Sequence, residues 1–543
     1  MESDTESQEG ILAGPTMEIR DTKQEAVNRP SAPETAVASP QTPQTRRQMD
    51  QSLASSLAWR AVADWSSQIL TWASLLIVVR LLTPADFGIV GMAVVLLPYL
   101  RFVAEFGIIR TVVTFRNLTD DQLAQLNSVT ALLSLACFGA ACLLAKPLEL
   151  FFRTPGLAPV IVVTCLIILP LGVRAASEGL LAKEMRFPLL SLYDAIRSIA
   201  AAIVTLAMAY FGFGYWALVW GNVVGVFLRC AMIIRVKPVP FARPVFKSIR
   251  EPLRFGWHVS VSVIASNSYE RLDNVTAGRF LGQTALGFYA MAWNLSYVPL
   301  EKVTSLVTTV VPSYFAAVQD DMPAIRRYLR TLTEALALAT FPATIGLGLI
   351  AGELIPIALG KKWDGVILPL QVLTIYATVR SIVPLFGRVL TALGNARYVM
   401  WNDLIALVLL PVAFVVGSRW GVAGIAFGWV VGYPFIAIPL AVKTFRTIDM
   451  PFREYLQALR PALDGTIAMS LAVISLKYTL AHHVPMLVQL ILEIAVGALV
   501  YCGTVYLLHK SRVMAFLQTA RNFRKARAEK RRKSLEQSGV TTP

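Results

Sequence analysis

Residues 80–88 read Arg80-Leu-Leu-Thr-Pro-Ala-Asp-Phe-Gly88, and residues 279–287 read Arg279-Phe-Leu-Gly-Gln-Thr-Ala-Leu-Gly287. The two stretches align at an offset of 199 residues, and the register continues through Met92-Ala93 against Met291-Ala292. A second match follows at an offset of 207, pairing Gly214, Gly221, Val223, Val224 and Gly225 with Gly421, Gly428, Val430, Val431 and Gly432. Apolar segments match by chance often. Two matches in the same order at nearly the same offset point to an internal duplication.

Working outward, apolar stretches long enough to cross a bilayer recur along the whole chain. A helix of about 20 apolar residues spans the roughly 30 Å hydrocarbon core. Fourteen candidates centre near Leu70, Leu97, Leu135, Leu166, Ile203, Val223, Asn267, Val298, Ala339, Ile375, Leu409, Val431, Val473 and Ala498. Each repeat holds six helices, an even number, so the halves enter the membrane in the same sense as parallel repeats about an axis along the membrane normal. The expected fold class is an all-α polytopic membrane protein of about fourteen transmembrane helices. Two pseudo-symmetric six-helix lobes are expected, with two extra helices.

The expected divisions are a disordered cytoplasmic tail at 1–52, an N-terminal lobe at 53–240 and a C-terminal lobe at 241–455, then helices 13–14 at 456–509 and a basic cytoplasmic tail at 510–543. No loop is long enough for a folded soluble domain, which excludes membrane enzymes built around one.

Composition agrees. Of 543 residues 55% are hydrophobic and 15% charged, with a mean hydropathy of +0.58. That balance excludes an ordinary soluble enzyme and a disordered chain. The net charge of +16 is uneven, since residues 510–543 carry ten Lys/Arg against two acids. The stretch Arg521–Lys533 therefore reads as an interfacial segment against anionic lipid, and nucleic acid is not the expected partner. Lys and Arg concentrate in alternate loops, most densely at Arg235, Lys237, Arg243, Lys247, Arg250 and Arg254. By that asymmetry both termini are cytoplasmic. Cys137, Cys142, Cys165, Cys230 and Cys502 lie in apolar runs without metal-ligand spacing, so they read as packing residues.

Charge inside hydrocarbon is costly, and the side chains that carry it face protein or water. Helix 1 carries Arg60 and Asp64, and helix 2 carries Arg101 and Glu105, both at i,i+4 spacing. Each pair reads either as a self-neutralised ion pair or as part of a cavity wall. Helix 7 is the most polar span, with Asn267, Tyr269, Glu270, Arg271, Asp273 and Asn274 over two turns, and helix 8 adds Asn294, Glu301 and Lys302. That run is too long to snorkel, so helices 1, 2, 7 and 8 are expected to line an aqueous cavity between the lobes. These side chains, Asn274 excepted, form the candidate substrate site. Asp194 and Arg197 read as a structural anchor. Lys477, with His482 and His483, reads as solvated. There is no phosphate-binding GxxxxGK[ST] loop, HExxH motif or nucleophile elbow, so no catalytic residue, metal or cofactor is expected.

Several short motifs carry a resemblance: Val79 to Gly88, Gly179-Leu-Leu-Ala-Lys-Glu-Met-Arg-Phe187, Phe213-Gly-Tyr-Trp-Ala-Leu218, and Gly278-Arg-Phe-Leu-Gly282 followed by Leu286-Gly-Phe-Tyr289. Over about residues 55–450 the chain resembles the polysaccharide transporter family. The likeness is greatest to Wzx-like flippases of the colanic-acid and teichuronic-acid exporter type, within the multidrug/oligosaccharidyl-lipid/polysaccharide exporter superfamily. The resemblance implies translocation of undecaprenyl-diphosphate-linked oligosaccharide units across the bacterial inner membrane for exopolysaccharide, capsule or O-antigen assembly. It also implies polysaccharide polymerase and export proteins as partners. Two other readings share the composition. A cation-coupled multidrug exporter would favour carboxylates and aromatic walls over the basic residues seen here. A glycosyl polymerase or ligase would need a long outer loop.

Overall fold

Thr83, Pro84, Ala85 and Asp86 carry their own helix-start chemistry. The Thr83 hydroxyl accepts the Asp86 N–H at 3.3 Å, and the Asp86 carboxylate accepts the Thr83 N–H at 2.8 Å. With Pro84 in the first turn, where its missing N–H costs nothing, this capping box fixes where the helix begins. The structure is a computed structural model describing residues 72–115, 117–257, 271–308, 321–480 and 484–510, with side chains of the third segment described to residue 300. All of these belong to one compact unit, Ser55–Arg531.

Helix α1 (Trp72–Leu81) leads into the capping box. The next span consists of α2 (Pro84–Ala93), α3 (Leu97–Glu105) and α4 (Ile108–Thr114). It breaks between α3 and α4, where Phe106 and Gly107 take φ of 44° and 63°. Three further spans' worth of helix follow as α5 (Asp120–Phe152), then α6 (Leu157–Cys165) continued by α7 (Ile168–Lys183), and α8 (Phe187–Tyr210). Helix α9 (Trp216–Val236) closes the first repeat.

The second repeat is described from α10 (Leu272–Thr276), which passes through a π-helical turn, Ala277–Leu281, into α11 (Gly282–Thr308). Then come α12 (Met322–Leu349), α13 (Ala351–Ala358), α14 (Ile367–Arg380) and α15 (Val383–Ala392). Helices α16 (Ala396–Gly417), α17 (Gly421–Gly432) and α18 (Pro434–Thr447) complete it. Outside the duplication, α19 (Phe452–Leu480) and α20 (Met486–Leu508) pack on α12, where the Tyr501 hydroxyl donates to the Leu338 carbonyl at 2.7 Å.

The protein is a multi-pass, all-helical membrane protein, with no strand among the described residues. Every expected helix centre falls in a helical span except Leu70 and Asn267, which lie outside the described residues. Leu132, Leu135, Leu143 and Leu150 on α5 are exposed, as lipid-facing side chains must be.

The duplication has a physical counterpart where α2 crosses α11. A Cβ on Gly88 would collide with the Gln283 carbonyl, and a Cβ on Gly287 would collide with the Pro84 carbonyl. Gln283 and Gly287 are Pro84 and Gly88 displaced by 199 residues, so the contact is reciprocal, as between copies related by a two-fold axis. Only glycine permits that approach. The second match marks a hairpin in each repeat: α9 packs on α8 through Gly221 and Gly225, and α17 packs on α16 through Gly428 and Gly432.

Lys477 corrects one expectation. It is not solvated: its ammonium donates to the Leu349 carbonyl at 2.5 Å and to Glu353 at 2.7 Å, and lies 3.9 Å from the buried Glu493. Two acids from neighbouring elements draw it inward, which a reading of its own helix does not show. His482 and His483 lie outside the described residues.

Candidate functional site

The end of the molecule that carries the two motifs is closed by contacts between repeats. The Arg80 guanidinium donates to the Ile357 and Ala358 carbonyls at 2.6 and 3.1 Å, where the C-terminus of α13 offers unpaired acceptors. Lys362 donates back to the carbonyls of Arg80 and Leu82 at 2.7 and 2.6 Å, and the buried Trp363 indole donates to Val79 at 3.1 Å. The equivalent arginine, Arg279, lies over the Phe151 ring at 5.3 Å, at the end of α5. Each motif arginine thus reaches into the other repeat.

Beyond this closure lies a cavity of about 210 Å³ between the repeats. The first repeat contributes Phe87, Val90, Gly91, Val94 and Val95, and the second contributes Arg271, Asn274, Ala290, Trp293 and Asn294. Its polar groups are one guanidinium and two amides, all from the second repeat. Arg271 and Asn294 are exposed there. Trp293 belongs to an aromatic cluster, stacked on Tyr297 with centroids 6.4 Å apart and 5.3 Å from Trp429.

Asp273 does not line the cavity. It is completely buried, and its two oxygens accept four hydrogen bonds. One takes the N–H and side-chain amide of Asn274 at 2.6 and 2.8 Å. The other takes the Tyr289 hydroxyl at 2.7 Å and the Trp429 indole at 3.1 Å. The expectation that Asp273 meets substrate is therefore corrected. The carboxylate ties α10, α11 and α17 together, and its acceptor capacity is spent on protein donors.

Arg101 and Glu105 lie farther along the same span as α2, in a different arrangement. Their side chains pair at 3.3 Å, with Arg101 51% exposed and Glu105 13% exposed. Glu105 also meets Arg174 on α7 at 3.4 Å, and Arg174 pairs with Glu178 one turn on. Glu178 accepts both arms of Arg229 on α9, at 2.9 and 3.1 Å. Arg229 then meets Asp194 on α8 at 2.7 Å, and Arg197 follows at 3.9 Å. Seven side chains alternate in charge through four helices, four arginines against three carboxylates. Arg174 and Arg229 are buried, at 4% and 8% exposed, so they depend on these partners. The expected anchor of Asp194 and Arg197 is one end of this ladder. Arg174, Glu178 and Arg229 were not anticipated, although the i,i+4 spacing of Arg174 and Glu178 is a readable signal.

Arg60, Asp64, Asn267, Tyr269 and Glu270 lie outside the described residues. Glu301 and Lys302 lie on α11 beyond the residues whose side chains are described. The structure thus brings Arg271 and Asn294 to one cavity and places Arg101 with Glu105 elsewhere. Among the described residues, no three His, Cys, Asp or Glu side chains gather as metal ligands would.

Comparison with known proteins decides the family. The model of a family described as polysaccharide biosynthesis protein matches residues 77–368. The chain belongs to this polysaccharide biosynthesis family. It is 23% identical to the lipopolysaccharide biosynthesis protein WzxC of Escherichia coli (strain K12), over 74% of this chain and 82% of that protein. It is 25% identical to the succinoglycan biosynthesis transport protein ExoT of Rhizobium meliloti (strain 1021), over 87% of this chain and 96% of that protein. Among solved structures, the lipid II flippase MurJ in an inward closed conformation superposes with a TM-score of 0.68 at 15% identity, covering 84% of this chain and 99% of MurJ. This shows a shared fold. Several of the motifs that carry the family likeness meet at the closure: Asp86, for example, also accepts the Tyr215 N–H at 3.1 Å and so links the first motif to Phe213-Gly-Tyr-Trp.

Proposed function

We propose that this member of the polysaccharide biosynthesis family is a flippase, a transporter and not an enzyme. It moves undecaprenyl-diphosphate-linked oligosaccharide units from the cytoplasmic to the periplasmic leaflet of the bacterial inner membrane by alternating access. Both termini are cytoplasmic, and the closed motif end faces the periplasm. The observation that carries the reading is the cavity walled by both repeats beneath that closure, with Arg271, Asn274 and Asn294 in it. WzxC and ExoT, whose names place them in lipopolysaccharide and succinoglycan biosynthesis, support the substrate class.

In this reading Arg101 is the first cation met by a headgroup entering from the cytoplasm. Its planar fork suits a diphosphate. Arg101 exchanges Glu105 for phosphate, and Glu105 stays neutralised because Arg174 is already beside it. Arg271, Asn274 and Asn294 then take the headgroup deeper, while Trp293 and Tyr297 offer flat apolar faces to sugar rings. The polyprenyl tail stays in lipid.

The test is depletion of the protein in its host, with the lipid-linked units labelled. Labelled units should accumulate where a periplasmic, membrane-impermeant probe cannot reach them. Normal probe access after depletion would overturn the reading. Units that become accessible yet remain unpolymerised would instead indicate a polymerase or ligase.

A further inference from the structure

Between the two repeats the chain crosses the surface as an extended strap, and α5 holds it by side chains. Asn127 donates to the Val239 carbonyl at 3.0 Å. The Ala242 N–H donates to the Ser128 hydroxyl at 2.9 Å, and the Val245 N–H donates to the Gln125 side chain at 3.1 Å. Gln122 donates to the Ser248 carbonyl at 3.0 Å. Four polar side chains at the start of one helix thus fix the strap over nearly ten residues.

An extended chain sends alternate side chains to opposite faces. Here Ala242 and Pro244 turn towards α5, while Phe241, Arg243 and Val245 turn outward. Phe241 is 61% and Phe246 68% exposed. In water such a surface would be costly. Its position is at the ends of the spans Asp120–Phe152 and Trp216–Val236, where aromatic and basic side chains settle at a lipid boundary. From Arg235 to Arg250 there are five basic residues and no acid. Lys237 is taken by Glu184, whereas Arg243, Lys247 and Arg250 have no acidic partner among the described residues.

Beside the strap is an open groove of about 430 Å³ with Ser128, Ala131 and Leu132 of α5 on one side and the chain from Phe241 through Ala242 and Arg243 to Pro244 on the other. One helical turn beyond Leu132, Leu135 continues the floor, both leucines being more than half exposed, and past it Gly139 has open space where a Cβ would stand. The groove thus opens onto an exposed leucine face of α5 that leads towards the hydrocarbon region, with one cation, Arg243, in its wall.

We propose that this groove holds one anionic phospholipid of the adjoining leaflet. Arg243, with Lys247 and Arg250 behind it, takes the phosphate-bearing headgroup, and an acyl chain lies along Leu132 and Leu135. Basic pockets beside membrane helices recognise anionic headgroups in this way, by charge at the mouth and apolar contact within. The inference is independent of the transport reading. Because the strap is the covalent crossing between repeats, a lipid seated there braces that crossing.

The experiment uses the purified full chain in vesicles of phosphatidylethanolamine and phosphatidylglycerol, with the lipids retained after extraction counted by native mass spectrometry. The wild type should retain phosphatidylglycerol preferentially. Arg243→Gln/Lys247→Gln/Arg250→Gln should lower that retention by about tenfold or more, as neutralising three cations near an anionic surface implies. Its phosphatidylethanolamine should stay unchanged. Leu132→Gln, which puts a polar amide in the acyl-chain path and keeps every charge, should lower retention as well, so the proposal does not depend on the triple variant folding. Inorganic phosphate in the wash should leave the lipid bound; displacement would mean that a free anion is the ligand and would overturn the proposal. So would equal phosphatidylglycerol retention by the wild type, Leu132→Gln and Arg243→Gln.

Discussion

Replacing Glu178 by alanine tests whether the charge ladder is a single structure. Glu178 sits between two guanidiniums that are 4% and 8% exposed, Arg174 and Arg229. Its removal leaves Arg229 with Asp194 alone and Arg174 with only Glu105, at 3.4 Å. Breaking a buried pair by removing one partner costs about 3–5 kcal/mol. That is a large part of the roughly 5–15 kcal/mol that holds a typical protein folded. Glu178→Ala should therefore unfold at clearly lower temperature in detergent and fall in abundance in the membrane.

The informative variant is Glu178→Ala/Arg229→Met. It deletes one charge of each sign and leaves two shorter runs, Arg101 to Arg174 and Asp194 with Arg197. Asp194 is 51% exposed and keeps Arg197 as a partner at 3.9 Å. The double variant should recover about 2 kcal/mol or more relative to Glu178→Ala, so that the two single losses fall well short of adding, as they do for side chains in one network. Thermal unfolding of the four proteins, wild type included, measures it. Single-variant losses that simply add in the double variant would refute the idea of a connected ladder.

Four further outcomes follow from the geometry. Arg101→Ala should leave abundance near normal, because Arg174 still neutralises Glu105, while lowering export of lipid-linked units; Arg101→Lys should keep part of the activity, and full export by Arg101→Ala would remove Arg101 from the path. Gly88→Ala and Gly287→Ala should each destabilise by about 1–3 kcal/mol or more, since the new methyl meets backbone, whereas Gly139→Ala, with open space around it, should be neutral in the same melting assay. Asp273→Asn keeps the shape but points an amide donor at existing donors, costing about 1–3 kcal/mol, and a melting temperature equal to wild type would contradict the four-bond assignment. Outside the spans, the Lys237 ammonium at 2.6 Å, helped by Arg186, holds the Glu184 carboxyl below its usual range. Its stabilisation is present above the unfolded carboxyl pKa and is lost as pH falls through the lower folded value, so melting curves of wild type and Glu184→Gln should converge in acid and differ only slightly at neutral pH.

Much of the architecture is readable from the chain because hydrocarbon imposes a strict rule on it. Helix centres such as Leu135 and Val473 fall where length and apolarity put them. The 199-residue offset becomes the crossing of Gly88 and Gly287. Arg271 and Asn294 could be singled out for the same reason, as polar groups that hydrocarbon does not tolerate. What was not readable depends on distant partners. The seclusion of Asp273 needs Tyr289 and Trp429, which are 16 and 156 residues away. The ladder needs four helices to bring Glu178 between its arginines, although each charge alone looks like an interfacial residue. Lys477 has the same explanation, since Glu353 and Glu493 come from other helices.

The reciprocal crossing of α2 and α11 has a mechanical consequence. Gly88 rests on Gln283 and Gly287 on Pro84, one helical turn apart, so neither bearing can slip while the other stays seated. A closure seated in this way resists sliding along either helix and yields most readily when the two helices lift apart together. A membrane that stores its energy as an ion gradient needs such a seal, because any passage wide enough for a sugar chain is also wide enough for ions.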